Sequence, residues 1–207
     1  DIGADASPRL CTPAGGVRAG ILATLPLHPD RMLVTHNGRT RQLFDVYALD
    51  LASGELSLVA ENPGGVTGWL ADDDGNVRIA VRTDGANHTL LYRDRSDEPF
   101  GELLTTNFRT QLHPLRFAAD GRRFYVLSNR GRDTAAVYVF DPDTLREEEL
   151  VAASDTYDMD DILYSRKLQR PVAAVYVGWR REYVMLHPDW QALWDHVAGQ
   201  IAARLGE

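Results

Sequence analysis

The sequence predicts an all-β fold, a partial β-propeller of about four antiparallel four-stranded blades followed by a C-terminal amphipathic helix. Three observations carry that prediction. A repeat of about 45 residues runs through the chain, hairpin signals recur in step with it, and the apolar period changes from two to between three and four near Pro188.

Tyrosine marks the repeat. Phe44-Asp45-Val46-Tyr47-Ala48-Leu49-Asp50, Thr89-Leu90-Leu91-Tyr92-Arg93, Ala136-Val137-Tyr138-Val139-Phe140-Asp141 and Glu182-Tyr183-Val184-Met185-Leu186 each set a tyrosine in a short β-branched and aromatic run. Tyr47, Tyr92, Tyr138 and Tyr183 stand about 45, 46 and 45 residues apart, within the roughly 40 to 50 residues of a four-stranded blade.

Within each repeat the elements follow in order. First strands are expected at Gly20 to Leu25, Gly68 to Leu70, Leu115 to Phe117 and Ile162 to Tyr164. Pro29-Asp30-Arg31, Asp74-Gly75-Asn76 and Asp120-Gly121-Arg122 then turn the chain into second strands, because Gly accepts the positive φ of tight hairpins. Polar or Gly-containing loops, Thr35 to Gln42, Arg82 to His88 and Asn129 to Thr134, lead to the tyrosine-bearing third strands. Turns such as Asp50-Leu51-Ala52-Ser53-Gly54 and Asp141-Pro142-Asp143-Thr144 precede short fourth strands at Glu55 to Val59 and Glu149 to Val151. Blades are thus expected over residues 18–60, 66–108, 114–152 and 160–187, together a propeller portion of 1–187. A single blade cannot bury both faces, so neighbours must stack, and the tyrosines are expected between them.

After Leu186-His187-Pro188-Asp189 the apolar residues Trp190, Leu193, Trp194, Val197, Ala198, Ile201, Ala202 and Leu205 step by three and four. That is one stripe on a helix over 188–207, with Pro188 in its first turn and Gly206 past its end.

Composition narrows the function. The 207 residues carry 22 Lys+Arg against 30 Asp+Glu, a net charge of −8. Nucleic acids and anionic membranes are bound first through clustered Lys/Arg, so neither is an expected partner. No apolar stretch approaches a membrane span, and the acidic start at residues 1–5 lacks the pattern of a signal peptide, so a cytoplasmic location is expected. Cys11 is the single cysteine, excluding an internal disulfide.

No metal or other cofactor is expected. Asp72-Asp73-Asp74-Gly75-Asn76 resembles a calcium loop, but counting from Asp72 the sixth and twelfth places hold Val77 and Thr83 instead of Gly and Glu, so a solvated hairpin is the better account. Asp155, Asp158, Asp160 and Asp161 read as a solvent-facing loop. His28, His36, His88, His113, His187 and His196 show no metal-binding spacing.

Gly16-Val17-Arg18-Ala19-Gly20-Ile21, the run Phe44 to Leu56, Glu61-Asn62-Pro63-Gly64 and Tyr157-Asp158-Met159-Asp160-Asp161-Ile162-Leu163-Tyr164-Ser165 together resemble the propeller of prolyl-oligopeptidase-family serine peptidases, in the acylaminoacyl-peptidase-like branch. The resemblance covers nearly the whole chain. It implies a seven- or eight-bladed propeller over an α/β-hydrolase domain that bears a Ser-His-Asp triad, with the propeller restricting access. Here about four blades are expected and no hydrolase domain. None of Ser7, Ser53, Ser57, Ser96, Ser128, Ser154 or Ser165 has the Gly-x-Ser-x-Gly flanking of a nucleophile elbow, so no catalytic residue is assigned. The chain therefore reads as a truncated product whose partners are the parent's hydrolase domain and, through it, peptide substrates. It is also expected to self-associate through uncovered blade faces.

Dipeptidyl peptidases of this superfamily grip a substrate amine with paired glutamates, but Glu147-Glu148-Glu149 sits between Leu145-Arg146 and Leu150-Val151 and reads as the charged start of an outer strand. Arg39, Arg41, Arg130 and Arg132 lie on loops that recur at one place in different blades. Their guanidinium groups are the candidate substrate-gating residues, since a planar fork suits a peptide carboxylate. A free-standing TolB-like propeller that scaffolds protein interactions is the competing reading, because turns like Asp50 to Glu55 occur in such propellers too.

Overall fold

The computed structural model describes residues 9–205; residues 1–5, Ser7 and Gly206, about which the sequence raises expectations, lie outside them. The described residues form four antiparallel sheets and a helix. The first sheet runs in order through β1 (Ala19–Thr24), β2 (Arg31–Thr40), β3 (Leu43–Asp50) and β4 (Leu56–Ala60). The second holds β5 (Val66–Ala71), β6 (Val77–Thr83), β7 (Asn87–Tyr92) and β8 (Gly101–Asn107). The third has β9 (Leu112–Phe117), β10 (Phe124–Ser128), β11 (Ala136–Asp141) and β12 (Arg146–Ala152), and the fourth β13 (Met159–Ser165), β14 (Arg170–Val177) and β15 (Arg181–Met185). Helix α1 spans Pro188–Leu205. These meanders are the blades of a partial β-propeller, and the last has three strands where four were expected.

The chain divides into two compact units near Thr105. In the first unit Leu25, Leu33, Val46, Ala60 and Val77 form a buried cluster that joins the first sheet to the second, with Trp69 and Phe100 packed against it. Trp69 Nε1 also donates to the Phe44 carbonyl at 3.0 Å. In the second unit Tyr125, Leu127, Val137, Val139 and Ala152 of the third sheet pack on Met159, Ile162 and Ala174 of the fourth. Within each unit two neighbouring blades therefore bury the faces that neither could bury alone, and each fully buried Val, Ile or Leu contributes about 1.5–3 kcal/mol.

Two local expectations are corrected, on the tyrosines and on the loops. Tyr47, Tyr92, Tyr138 and Tyr183 are half-buried; their neighbours Val46, Leu91, Val137 and Val139 are the buried residues. The phenols explain this, as Tyr92 donates to Asp94 at 2.8 Å and accepts from Arg78 at 2.7 Å, contacts that need the ring tip near water. The polar runs Thr35 to Gln42 and Arg82 to His88 are mostly strand. β2 continues through a break in register between His36 and Thr40, and the second run leaves only residues 84–86 outside β6 and β7. Finally, the helix stripe is largely uncovered. Trp194 meets Tyr183 of β15 at 4.9 Å between ring centres, yet Leu193, Trp194, Val197 and Ile201 are 43–53% exposed. No helix among the described residues is long and apolar enough to cross a membrane.

Candidate functional site

Antiparallel pairing places the connection between second and third strands, and the connection that enters each blade, at the same end of its sheet. Those loops make a rim on each unit, and each is described by itself.

On the first unit the rim is tied to the sheet by Asn37. Its N–H donates to the Arg18 carbonyl (3.2 Å), its Oδ1 accepts from the Arg18 N–H (2.7 Å), and its Nδ2 donates to the Arg41 carbonyl (2.7 Å). Residues 37–39 stand out of the ladder, and Arg39 folds back on Asp45, which is fully buried. Arg39 Nε and Nη2 donate to the two Asp45 oxygens at 2.8 and 2.9 Å, and Nη2 also reaches the Asn62 carbonyl at 3.0 Å. Asn62 N–H donates to Asp45 at 2.7 Å. Burial opposes ionisation of Asp45, but the Arg39 hydrogen bonds and the Asn62 N–H outweigh it and hold the carboxyl below its ordinary range. The neighbouring His36 ring stacks on Tyr47 at 3.8 Å, and its Nδ1 accepts from the Gly38 N–H at 3.1 Å. Burial pushes its pKa down against the pull of Asp45. Arg39 is thus occupied within its own blade, while Arg41 presents an exposed side chain at the turn into β3.

On the second unit Asn129 makes the matching tie. Its N–H donates to the Gln111 carbonyl (3.4 Å), its Oδ1 accepts from the Gln111 N–H (2.8 Å) and its Nδ2 donates to the Arg109 carbonyl (3.1 Å). Ser128, fully buried, donates to Glu147 at 2.6 Å and accepts from the Arg130 N–H at 3.2 Å. Beyond this anchor the charges are loosely paired. Arg130 lies 3.6 Å from Glu147, and Arg132 4.0 Å from Asp155, whose side chain is fully exposed. The entering loop is pinned by Thr134 Oγ1 donating to the Ser154 carbonyl and by the Ala135 N–H donating to Asp158 at 2.6 Å. In the second blade, Thr83 N–H donates to the Gly65 carbonyl at 2.8 Å in the place that Asn37 and Asn129 take in theirs.

Asn37, Asn129 and Asp45 were missed by sequence reasoning. For Asn37 and Asn129 the signal available was a short amide inside each expected polar loop, where strand ends leave backbone groups to be paired. The first acidic run behaves as hairpin chemistry. Asp72 accepts from the N–H groups of Asp74 and Asn76 at 3.1 and 2.8 Å around Gly75, at φ +88°. In the second run, expected as a loop, Asp160 and Asp161 instead lie on β13, 3.3 and 3.9 Å from Arg181 of β15. Glu147 and Glu148 lie on β12, at the outer end of its sheet, and Glu148 pairs with Arg123 at 3.3 Å.

No family model matches the chain. Dipeptidyl aminopeptidase BIII of Pseudoxanthomonas mexicana is 33% identical over 138 residues, which cover 63% of this chain and 19% of that protein. The chain thus spans about a fifth of the length of this relative. TolB from Acinetobacter baumannii superposes with a TM-score of 0.54 at 15% identity, over 76% of this chain and 37% of that one, a likeness of fold. Sheet order and stacked blade faces agree with the resemblance seen in the sequence: the chain is a partial β-propeller that is similar, over part of its length, to a segment of a dipeptidyl aminopeptidase.

Proposed function

We propose that this chain is a non-catalytic, substrate-gating part of the propeller of a cytoplasmic acylaminoacyl-peptidase-like serine peptidase, working with an α/β-hydrolase domain of the parent protein. The observation that carries the reading is the 33% identity to a dipeptidyl aminopeptidase over residues that fold as blades. TolB supports the fold alone, so the scaffold reading has nothing further in its favour.

Such a domain acts through geometry and charge. An extended peptide can lie along a blade rim that a folded protein does not fit, and guanidinium groups on that rim hold the peptide carboxylate. Arg41, Arg130 and Arg132 take that role in this proposal, and Arg39 acts by holding the loop that presents Arg41. The uncovered helix stripe and blade faces make self-association an expected property of the isolated chain.

The test compares the isolated chain with the complete gene product. The complete product should hydrolyse peptide p-nitroanilides and the isolated chain should not. In the complete product, replacing Arg41, Arg130 and Arg132 with Ala should raise KM for peptides with a free C-terminal carboxylate and leave their amides unaffected. Turnover by the isolated chain, or an equal effect on both peptide classes, would refute the reading.

A further inference from the structure

The rim of the second unit carries three exposed aromatic rings that its core does not use. Phe108 is 71% exposed, Tyr157 41% and Trp179 83%. Single exposed rings are ordinary, but three on one set of contiguous loops are not. Phe108 and Arg109 enter the third blade beside the Asn129 tie, the loop 129–135 is bonded to 154–158, and Tyr157 meets Gly178 at the β14–β15 turn. Trp179 is at the tip of that turn.

Each ring is held. Tyr157 stacks on Tyr176 with centroids 5.2 Å apart and planes 14° from parallel, and the Thr156 and Tyr157 N–H groups both donate to Ser154 Oγ. The Arg180 guanidinium lies 4.8 Å from the Trp179 ring centre, and that of Arg109 lies 5.5 Å from Phe108. The stacked Tyr157 ring has already lost much of the freedom that binding would otherwise remove. The charges beside them are exchangeable. Arg132 meets Asp155 at 4.0 Å and Arg180 meets Glu182 at 3.6 Å, and all these side chains contact solvent, so a competing carboxylate displaces pairs worth little.

We propose that this rim is a docking surface for an extended peptide that alternates rings with carboxylates, its tyrosine or proline rings stacking on Trp179 and Tyr157 and its acid on Arg132. Flat faces select rings, and adjacent guanidinium groups select the anion beside them. The proposal rests on the peptide-handling reading above and names its substrate class.

The probe is an end-blocked peptide of sequence Asp-Tyr-Pro-Asp-Tyr-Pro, titrated into the 207-residue chain by calorimetry at low salt, beside analogues with Asn for Asp and with Ala for both Tyr and Pro. The parent peptide should bind saturably and both analogues more weakly. Trp179→Ala should weaken the parent about five- to tenfold, the loss of one stacked ring. Arg132→Ala should weaken the parent but not the Asn analogue. Trp190→Ala, on the helix, should bind as wild type and melt with the same cooperativity as the other variants. Absence of saturable binding, equal affinity for all three peptides, or a larger loss at Trp190 than at Trp179 would overturn the proposal. A complete gene product without peptidase activity whose rim still binds would sink the gating reading and leave this one standing.

Discussion

The two rims share one tie and differ in what the tie supports. Asn37 and Asn129 make the same three hydrogen bonds, to the backbone that enters the first strand and to one further carbonyl. Past that point Arg39 of the first unit makes two short hydrogen bonds to the fully buried Asp45, whereas Arg130 and Arg132 of the second lie 3.6 and 4.0 Å from a mostly buried Glu147 and a fully exposed Asp155. A charge pair closed inside a blade fixes a conformation, and one at the surface stays available to a ligand. One blade plan therefore yields a rigid rim in one unit and a receptive one in the other.

Removing the buried carboxylate should break this contrast most strongly. Asp45→Ala leaves Arg39 and the Asn62 N–H without their acceptor, and about 3–5 kcal/mol of stability should be lost in urea unfolding. The same deletion at Asp155, an exposed acid, should change stability by under about 1 kcal/mol.

Next in size are the ties. Asn37→Ala should cost about 1–3 kcal/mol, because Asn37 is 7% exposed and leaves buried partners behind. Asn129→Ala should cost less, since water reaches its half-exposed site. Equal losses would mean that the two ties are equally closed.

Acid should sharpen the comparison further. Burial lowers the pKa of His36 in the first unit from the usual 6.5 against the pull of Asp45, while His113 in the second unit shifts the same way but is exposed, so solvent screens much of its effect. The unfolded chain then takes up the proton first, so this stability is present above about pH 6.5 and declines as pH falls below it. Asp45, held below 3.8, adds stability that is present above that value and is lost as pH falls through its lower folded pKa. The first unit should weaken as pH falls below 6.5 and the second less so, and below pH 3.8 the first should lose a further increment. Stability against pH should show the upper step flattened in His36→Gln and less so in His113→Gln, with the lower step reduced in Asp45→Asn but kept in part by other low-pKa acids such as Asp84 and Asp120.

The smallest effects belong to Arg130→Ala and Arg132→Ala, each under about 1 kcal/mol by thermal melting. A larger loss would show that the second rim is as locked as the first.

Much of the fold was legible because blades repeat. The tyrosine spacing and the Asp-Gly turns located all four sheets, since hairpin chemistry is local and the backbone at Gly75 and Gly121 takes the positive φ that the sequence implied. The helix was legible too, from Pro188 onward. Burial was harder to read. Val46 and Leu91, beside the tyrosines, take the interior, because a phenol must keep its oxygen near a partner. Loop lengths erred where polar residues such as Arg39 and Arg82 lie in or beside strands and turn their charges back onto Asp45 and Glu102. Asp45 itself sat in plain view in the first repeat, but a carboxylate in a strand reads as exposed unless its cation, six residues earlier, is known to fold back.

In the first three blades, the bond from the end of the second strand to the residue ahead of the first strand, at Asn37, Thr83 and Asn129, has one more consequence. It shuts each blade like a clasp below its outermost loop, so the chain beyond the clasp can lengthen or change composition without re-registering the strands beneath. New specificities can be grafted onto such a scaffold one loop at a time, at positions 38–42, 84–86 and 130–135.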